Sequence, residues 1–233
     1  MNTPPSTGFS EKIAAKSASI HIDHACNGFL NECFRPFGIH IVPVAGDPVV
    51  MFYRQKFEAC VMRLYDPEAE RILSAIRNSS SNRPLVIYGI ARNTKEAIRY
   101  SSYGINAVFD EPLDRASVVK VVRATQPLVI NELRRYARVP VRSQAVVETQ
   151  TGSTVATTVE VSAGGLSVRS TETIASEAVR LMLSLPGLPR LTLRAFICWQ
   201  RLGAEKVYGM RFDQTDTARF RIKNWIDQHL EIV

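Results

Sequence analysis

Residues 139–170 read VPVRSQAVVETQTGSTVATTVEVSAGGLSVRS, and their pattern differs from everything before them. Val141–Val147, Thr154–Val161 and Leu166–Ser170 are short runs rich in β-branched residues, separated by Gln150-Thr151-Gly152 and Ala163-Gly164-Gly165. Branched side chains fit a pleated surface, and glycine supplies the backbone freedom of tight turns. The pattern continues toward the C-terminus. Val179–Leu183, Leu191–Arg201 and Val207–Phe212 are further strand-like runs, with turns at Pro186-Gly187 and Leu202-Gly203. Six short strands at this spacing predict a six-stranded antiparallel β-barrel. A C-terminal helix is expected from about Asp216, because Ala218, Ile222, Trp225, Ile226 and His229 recur at helical spacing. Trp199 and Trp225 read as core anchors of the barrel and its helix.

Toward the N-terminus the pattern is α/β. Strand-like runs at Ala18–Ile22, Ile39–Val44, Ala59–Leu64, Pro84–Gly89 and Ala107–Phe109 alternate with helical stretches. The helices are expected at Ala25–Arg35, Pro48–Lys56, from Asp66-Pro67 onward, Thr94–Tyr103 and Asp114 to about Ala124. At Asp66-Pro67 the acid is placed as a cap and the proline in the first helical position. Strict alternation with apolar strands predicts a doubly wound, parallel five-stranded sheet. The chain thus divides into a flexible N-terminus 1–16, an α/β domain 17–124, a joint 125–133 containing Pro127, and an all-β domain 134–233. The joint either continues the last helix after a kink or forms a short linker.

Bulk composition agrees with a globular chain: 45% of the 233 residues are apolar and 22% charged. No run reaches the roughly 18 apolar residues of a membrane helix, and Met1–Ser10 has no basic flank before an apolar core. Cys26, Cys33, Cys60 and Cys198 are scattered, with no C-x-x-C pair, as in reduced thiols of a cytoplasmic protein. A net charge of +7 and a pI near 9.4 favour a polyanionic ligand.

The basic residues cluster once, at Arg134-Arg135-Tyr136-Ala137-Arg138 and Arg142, just before the barrel. Arginine binds phosphate through a planar fork, stacks on bases, and addresses the O6/N7 edge of guanine. Two arginines four residues apart suit a compact ligand that carries both phosphates and guanines. Some twenty residues later, Glu160-Val161-Ser162-Ala163-Gly164-Gly165 offers a hydroxyl and an approachable backbone.

At these residues the sequence resembles the PilZ family of cyclic di-GMP receptors, whose motifs are R-x-x-x-R and [D/N]-x-S-x-x-G. Arg134 and Arg138 match the first motif, Ser162 and Gly165 the second, and Val207–Phe212 looks like the family's last strand. The resemblance covers about the last hundred residues. It implies a PilZ-like barrel in a bacterial second-messenger receptor, with cyclic di-GMP clamped by Arg134 and Arg138 and assisted by Arg135. Glu160, Ser162, Gly164 and Gly165 would complete the pocket. Glu160 departs from the motif, placing its carboxylate one methylene further out than aspartate. A nucleotide-free adaptor with a degenerate barrel is the alternative it favours.

The first half resembles a response-regulator receiver domain, without its chemistry. The acidic pair reads Asp23-His24, the phosphoacceptor position Arg63, the hydroxyl position Gly89 and the lysine position Glu111. An arginine cannot take a phosphoryl group, so a degenerate receiver is expected, with Arg63 pairing to Asp23 or Glu111 in place of a metal. Receivers dimerise and dock partners, so a homodimer surface and an unidentified protein partner are implied. His21, Asp23, His24 and Cys26 do not converge in a strand, so no metal site is expected. Neither a G-x-S-x-G elbow nor a Walker motif is present. No catalytic residue, cofactor or membrane insertion is expected, and with no helix-turn-helix in the β-rich half, no DNA partner.

Overall fold

The structure, a computed structural model, describes residues 12–231. Most of the expected flexible N-terminus therefore lies outside the described residues. The chain divides into two compact units, with the boundary between Leu133 and Arg134.

The first unit follows the expected alternation. Strands β1 (Ala15–Ile20), β2 (Ile39–Pro43), β3 (Ala59–Arg63), β4 (Val86–Ala91) and β5 (Ala107–Asp110) form one sheet in the order β2-β1-β3-β4-β5. Every pairing in it is parallel. This is one of the two common orders of doubly wound sheets, with the ligand-bearing edge at the carboxyl ends of the strands. Helices α1 (His24–Phe34), α2 (Pro48–Arg54), α3 (Ala69–Asn78), α4 (Thr94–Arg99) and α5 (Arg115–Tyr136) connect and flank the strands. The core includes Ile20, Phe52, Phe57, Cys60, Met62, Ile72, Ile76 and Ile87, all fully buried or nearly so. Local chemistry starts the helices: Asp23 accepts from the Cys26 amide, and Asp47, followed by Pro48, accepts from Val49.

Helix α3 starts later than expected, and of the two courses left open for residues 125–133 the structure takes the helical one. Asp66 does not cap α3; it accepts from the Glu68 amide two residues on, a side-chain turn that delays the helix to Ala69. Residues 125–133 are helical throughout, and α5 runs on through Pro127. Two residues before that proline the Thr125 hydroxyl donates to the Val121 carbonyl and meets the Tyr88 hydroxyl at 2.7 Å.

The second unit is a closed barrel. Strands β6 (Arg138–Pro140), β7 (Gln144–Glu148), β8 (Ser153–Ser162), β9 (Gly165–Ser170), β10 (Ala178–Leu183), β11 (Leu191–Arg201) and β12 (Lys206–Phe212) are joined antiparallel. The circuit β7-β10-β11-β12-β9-β8 closes because β8 pairs with both β7 and β9. This is the six-stranded barrel read from the sequence, with its first strand split into β6 and β7. Thr158 holds the split: its hydroxyl donates to the Val141 carbonyl and accepts from the Ser143 amide. Helix α6 (Arg219–Asp227) buries Ile222, Trp225 and Ile226, and the Trp225 indole donates to the Pro186 carbonyl at 2.9 Å. Among the described residues no helix is long and apolar enough to cross a membrane.

Candidate functional site

Strand register places most of the motif residues on one outer face of the barrel. Arg138 sits opposite Ser162, and Pro140 opposite Glu160; the intervening Val139 and Val161 are buried inside. Ser162 in turn opposes Gly165 across the β8–β9 turn, and its hydroxyl donates to the Gly165 carbonyl at 2.9 Å. Gly165 opposes Arg211 on β12, and Gly209 opposes Ser167. The result is a floor of small residues framed by arginines. Arg138, Ser162, Gly164, Gly165, Trp199 and Arg211 line a recess of about 200 Å³ there.

Two glycines are sterically required. A methyl group on Gly165 would overlap the Met210 carbonyl oxygen, and one on Gly209 would enter the Trp199 ring. Trp199 thus lies directly over a strand glycine. It is 49% exposed and is no core anchor, which corrects the sequence reading. The cause is a bulge in β11 between Ile197 and Trp199 that resets the alternation, a feature no regular period discloses. Trp225, by contrast, is buried as expected. A second hollow, of about 490 Å³, opens beside the same indole between residues 174–177 and 197–200. The first recess alone is below the ~300–1,000 Å³ usual for a ligand-sized site. Trp199 stands where the two meet.

The motif arginines are held by carboxylates from different elements. Arg138 Nη1 meets Glu160 Oε1 at 2.7 Å, with Glu160 one-third exposed. Arg134, in the last turn of α5, meets Asp227 Oδ1 of α6 through Nε at 2.9 Å. Arg134 does not line the recess. Arg135 follows it in the same helical turn. The sequence motifs thus place Arg138, Ser162, Gly164 and Gly165 together and Glu160 beside them, but leave Arg134 on α6. Trp199 and Arg211 were missed; an aromatic residue and an arginine on late strands give no local signal that they return to β6.

The carboxyl edge of the parallel sheet carries the other expected constellation. Arg63 Nη2 meets Asp23 Oδ2 at 2.9 Å, its Nε lies 3.7 Å from Glu111 Oε1, and Nη1 donates to the His21 carbonyl at 3.3 Å. The Tyr65 hydroxyl donates to Glu111 at 2.6 Å. The hydrogen bond to Asp23 raises Arg63 above the usual guanidinium value; the Cys26 amide first, then Arg63, hold the Asp23 carboxyl below the ordinary range. His21, at φ 52°, turns instead to Asp66 at 2.8 Å. A guanidinium therefore occupies the ground between the two carboxylates. Gly89 lies under Leu64, whose side chain fills the space a hydroxyl-bearing residue would take.

Residues 132–228 match the PilZ domain family. Among solved structures, an inhibitor of motility from Bacillus subtilis is similar over 40% of this chain and 49% of its own length, at 12% identity and a TM-score of 0.36. This chain therefore spans about half of that protein. The receiver domain of a sensor histidine kinase from Pseudomonas aeruginosa, described with a magnesium ion coordinated in its active-site cleft, is 21% identical. That likeness covers 49% of this chain and 99% of the other, with a TM-score of 0.40. A chemotaxis response regulator from Vibrio cholerae is 13% identical over 48% of this chain and 98% of its own, with a TM-score of 0.42. No curated protein matches the chain.

Proposed function

We propose that the PilZ domain at residues 132–228 makes this chain a non-enzymatic bacterial receptor for cyclic di-GMP. The supporting observation is the convergence, within that segment, of Arg138, Ser162, Gly164 and Gly165 on one recess floored by small residues. In this reading Arg138 exchanges the Glu160 carboxylate for a phosphate or a guanine edge, and Arg134 and Arg135 close from the end of α5. Ser162 and the backbone at Gly164 and Gly165 supply neutral hydrogen bonds. The open face of Trp199 takes a guanine ring by stacking, and Arg211 adds positive charge at the rim. The signal passes by interdomain rearrangement or by docking of a protein partner, a population shift driven by contacts made only when ligand is bound. The receiver-like unit, with Arg63 where a phosphoacceptor would stand, serves docking or dimerisation and not phosphorelay. The setting is the cytoplasm; DNA and membranes are not partners.

Isothermal titration with cyclic di-GMP tests the reading. Removal of one charge-assisted contact costs roughly 1.5–3 kcal/mol, so Arg138→Ala weakens binding about ten- to a hundredfold. Equal affinity in wild type and Arg138→Ala would remove the assigned pocket.

The Arg138–Glu160 pair favours a second reading, a nucleotide-free adaptor, since the carboxylate already satisfies the arginine. A flat wild-type titration would select it.

A further inference from the structure

Helix α6 ends on Asp227, and its last turn contains no basic residue. A carboxylate at the negative end of a helix dipole is disfavoured, and a cation there is favoured. The compensating cation comes from another element. Arg134 approaches from the last turn of α5 and makes the 2.9 Å contact, with side chains 33% and 27% exposed. Arg134 is the motif residue that does not reach the recess. The same ion pair therefore explains two oddities: an acid at the wrong end of a helix, and one of two paired arginines held away from the other's site.

We propose that Asp227 is a specificity and switching residue of the anion site, and that α6 is the element that reports occupancy. In the empty state Asp227 stands in for a phosphate oxygen and keeps Arg134 on α6. An arriving phosphate takes the guanidinium, which leaves Asp227 uncompensated at the carboxyl end of α6. The last turn of the helix then loosens. That turn bears Trp225, bonded to the Pro186 carbonyl, with its ring 4.2 Å from that of His229. Ligand capture at the barrel rim is in this way coupled to the packing of the C-terminal helix, without any contact between ligand and α6. The identity of the anion rests on the cyclic di-GMP reading; the latch does not.

Hydrogen exchange over residues 222–230 of the full chain tests it, with and without cyclic di-GMP. An ion pair about one-third exposed shifts an equilibrium by about two- to fivefold. Arg134→Gln, which strands Asp227, should speed exchange of the last turn by about that factor without ligand, and adding Asp227→Asn should restore protection. Asp227→Asn alone should bind cyclic di-GMP about two- to fivefold more tightly, with no further change in α6 on binding. Wild-type exchange in this turn should rise with ligand. The latch is overturned if Arg134→Gln exchanges as wild type does, or if wild type binds ligand with α6 unaffected. Absence of any wild-type binding would remove the cyclic di-GMP reading and leave the latch to be decided by the ligand-free comparison of the variants.

Discussion

At the scale of single residues, the barrel site depends on what is missing as much as on what is present. Gly209 leaves room for the Trp199 indole to lie on the strand, so Gly209→Val should expel the ring. A red-shifted, more quenchable tryptophan emission against a Trp225→Phe background would show it; unchanged emission would mean the ring is held otherwise. Loss of a base-stacking aromatic costs about 1–3 kcal/mol. Trp199→Ala should therefore weaken cyclic di-GMP binding by about five- to a hundredfold at unchanged barrel stability, as read by titration alongside thermal melting. At the other site, the Asp23 carboxyl is held below its ordinary value of 3.8, chiefly by the Cys26 amide and then by Arg63. A depressed folded-state value means its contribution is present above the unfolded value and lost as pH falls through the folded one. The stability gap between wild type and Asp23→Asn, which keeps the cap, should accordingly close only below about pH 4. A gap constant to pH 2 would count against the pair. Part of this was legible: Arg138, Ser162, Gly164 and Gly165 were named from the two motifs that carry the family resemblance, and Arg63 from its position in a receiver-like order. Asp227 and Trp199 were not. Their roles come from a helix end that meets the last turn of α5 from some ninety residues away and a strand bulge that returns to β6 from some sixty, and no local pattern carries such distances.

At the scale of elements, α5 is the informative case. Its interior proline removes one amide donor, and its ring crowds the preceding turn, yet the helix persists from Arg115 to Tyr136. Buried Val118, Val122, Val129 and Ile130 on one face outweigh the defect. Because Pro127 itself is exposed, Pro127→Ala removes little packing. Proline is disfavoured by ~3 kcal/mol relative to alanine in a helix interior. A gain of about 1–3 kcal/mol in unfolding free energy is expected, measured by denaturant titration followed by far-ultraviolet circular dichroism; a loss would show that the kink itself is used. The sequence left open whether residues 125–133 continue the helix, since the proline argues for a break and only tertiary burial decides otherwise. The start of α3 moved for a comparable reason, a side-chain turn at Asp66 competing with the cap. The alternation of strands and helices in the first half and the six strands of the barrel, by contrast, are carried by period and turn chemistry spread over many residues, where single-site competition averages out; strand order and barrel closure are tertiary and have no local signal.

For the whole molecule, two units with separate cores predict separable responses. Ligand that binds only the folded barrel stabilises it by RT ln(1 + [L]/Kd), about 2.7 kcal/mol at a hundredfold excess over Kd. Calorimetry with cyclic di-GMP should raise the transition of the barrel and leave that of the parallel sheet in place. Equal shifts in both would mean that the units unfold as one. The strand circuit has a further consequence, for biosynthesis. Strand β12 lies between β11 and β9, and β9 precedes it by some forty residues. On a ribosome the parallel sheet is complete in sequence well before Lys206 emerges, whereas the barrel keeps two unpaired edges until β12 arrives to fill the gap. Non-local closure of this kind is slow, and open strand edges invite pairing with other chains. Stalling or truncation before residue 206 should therefore yield a nascent chain with one finished half and one adhesive half, a natural substrate for chaperones that shield strand edges.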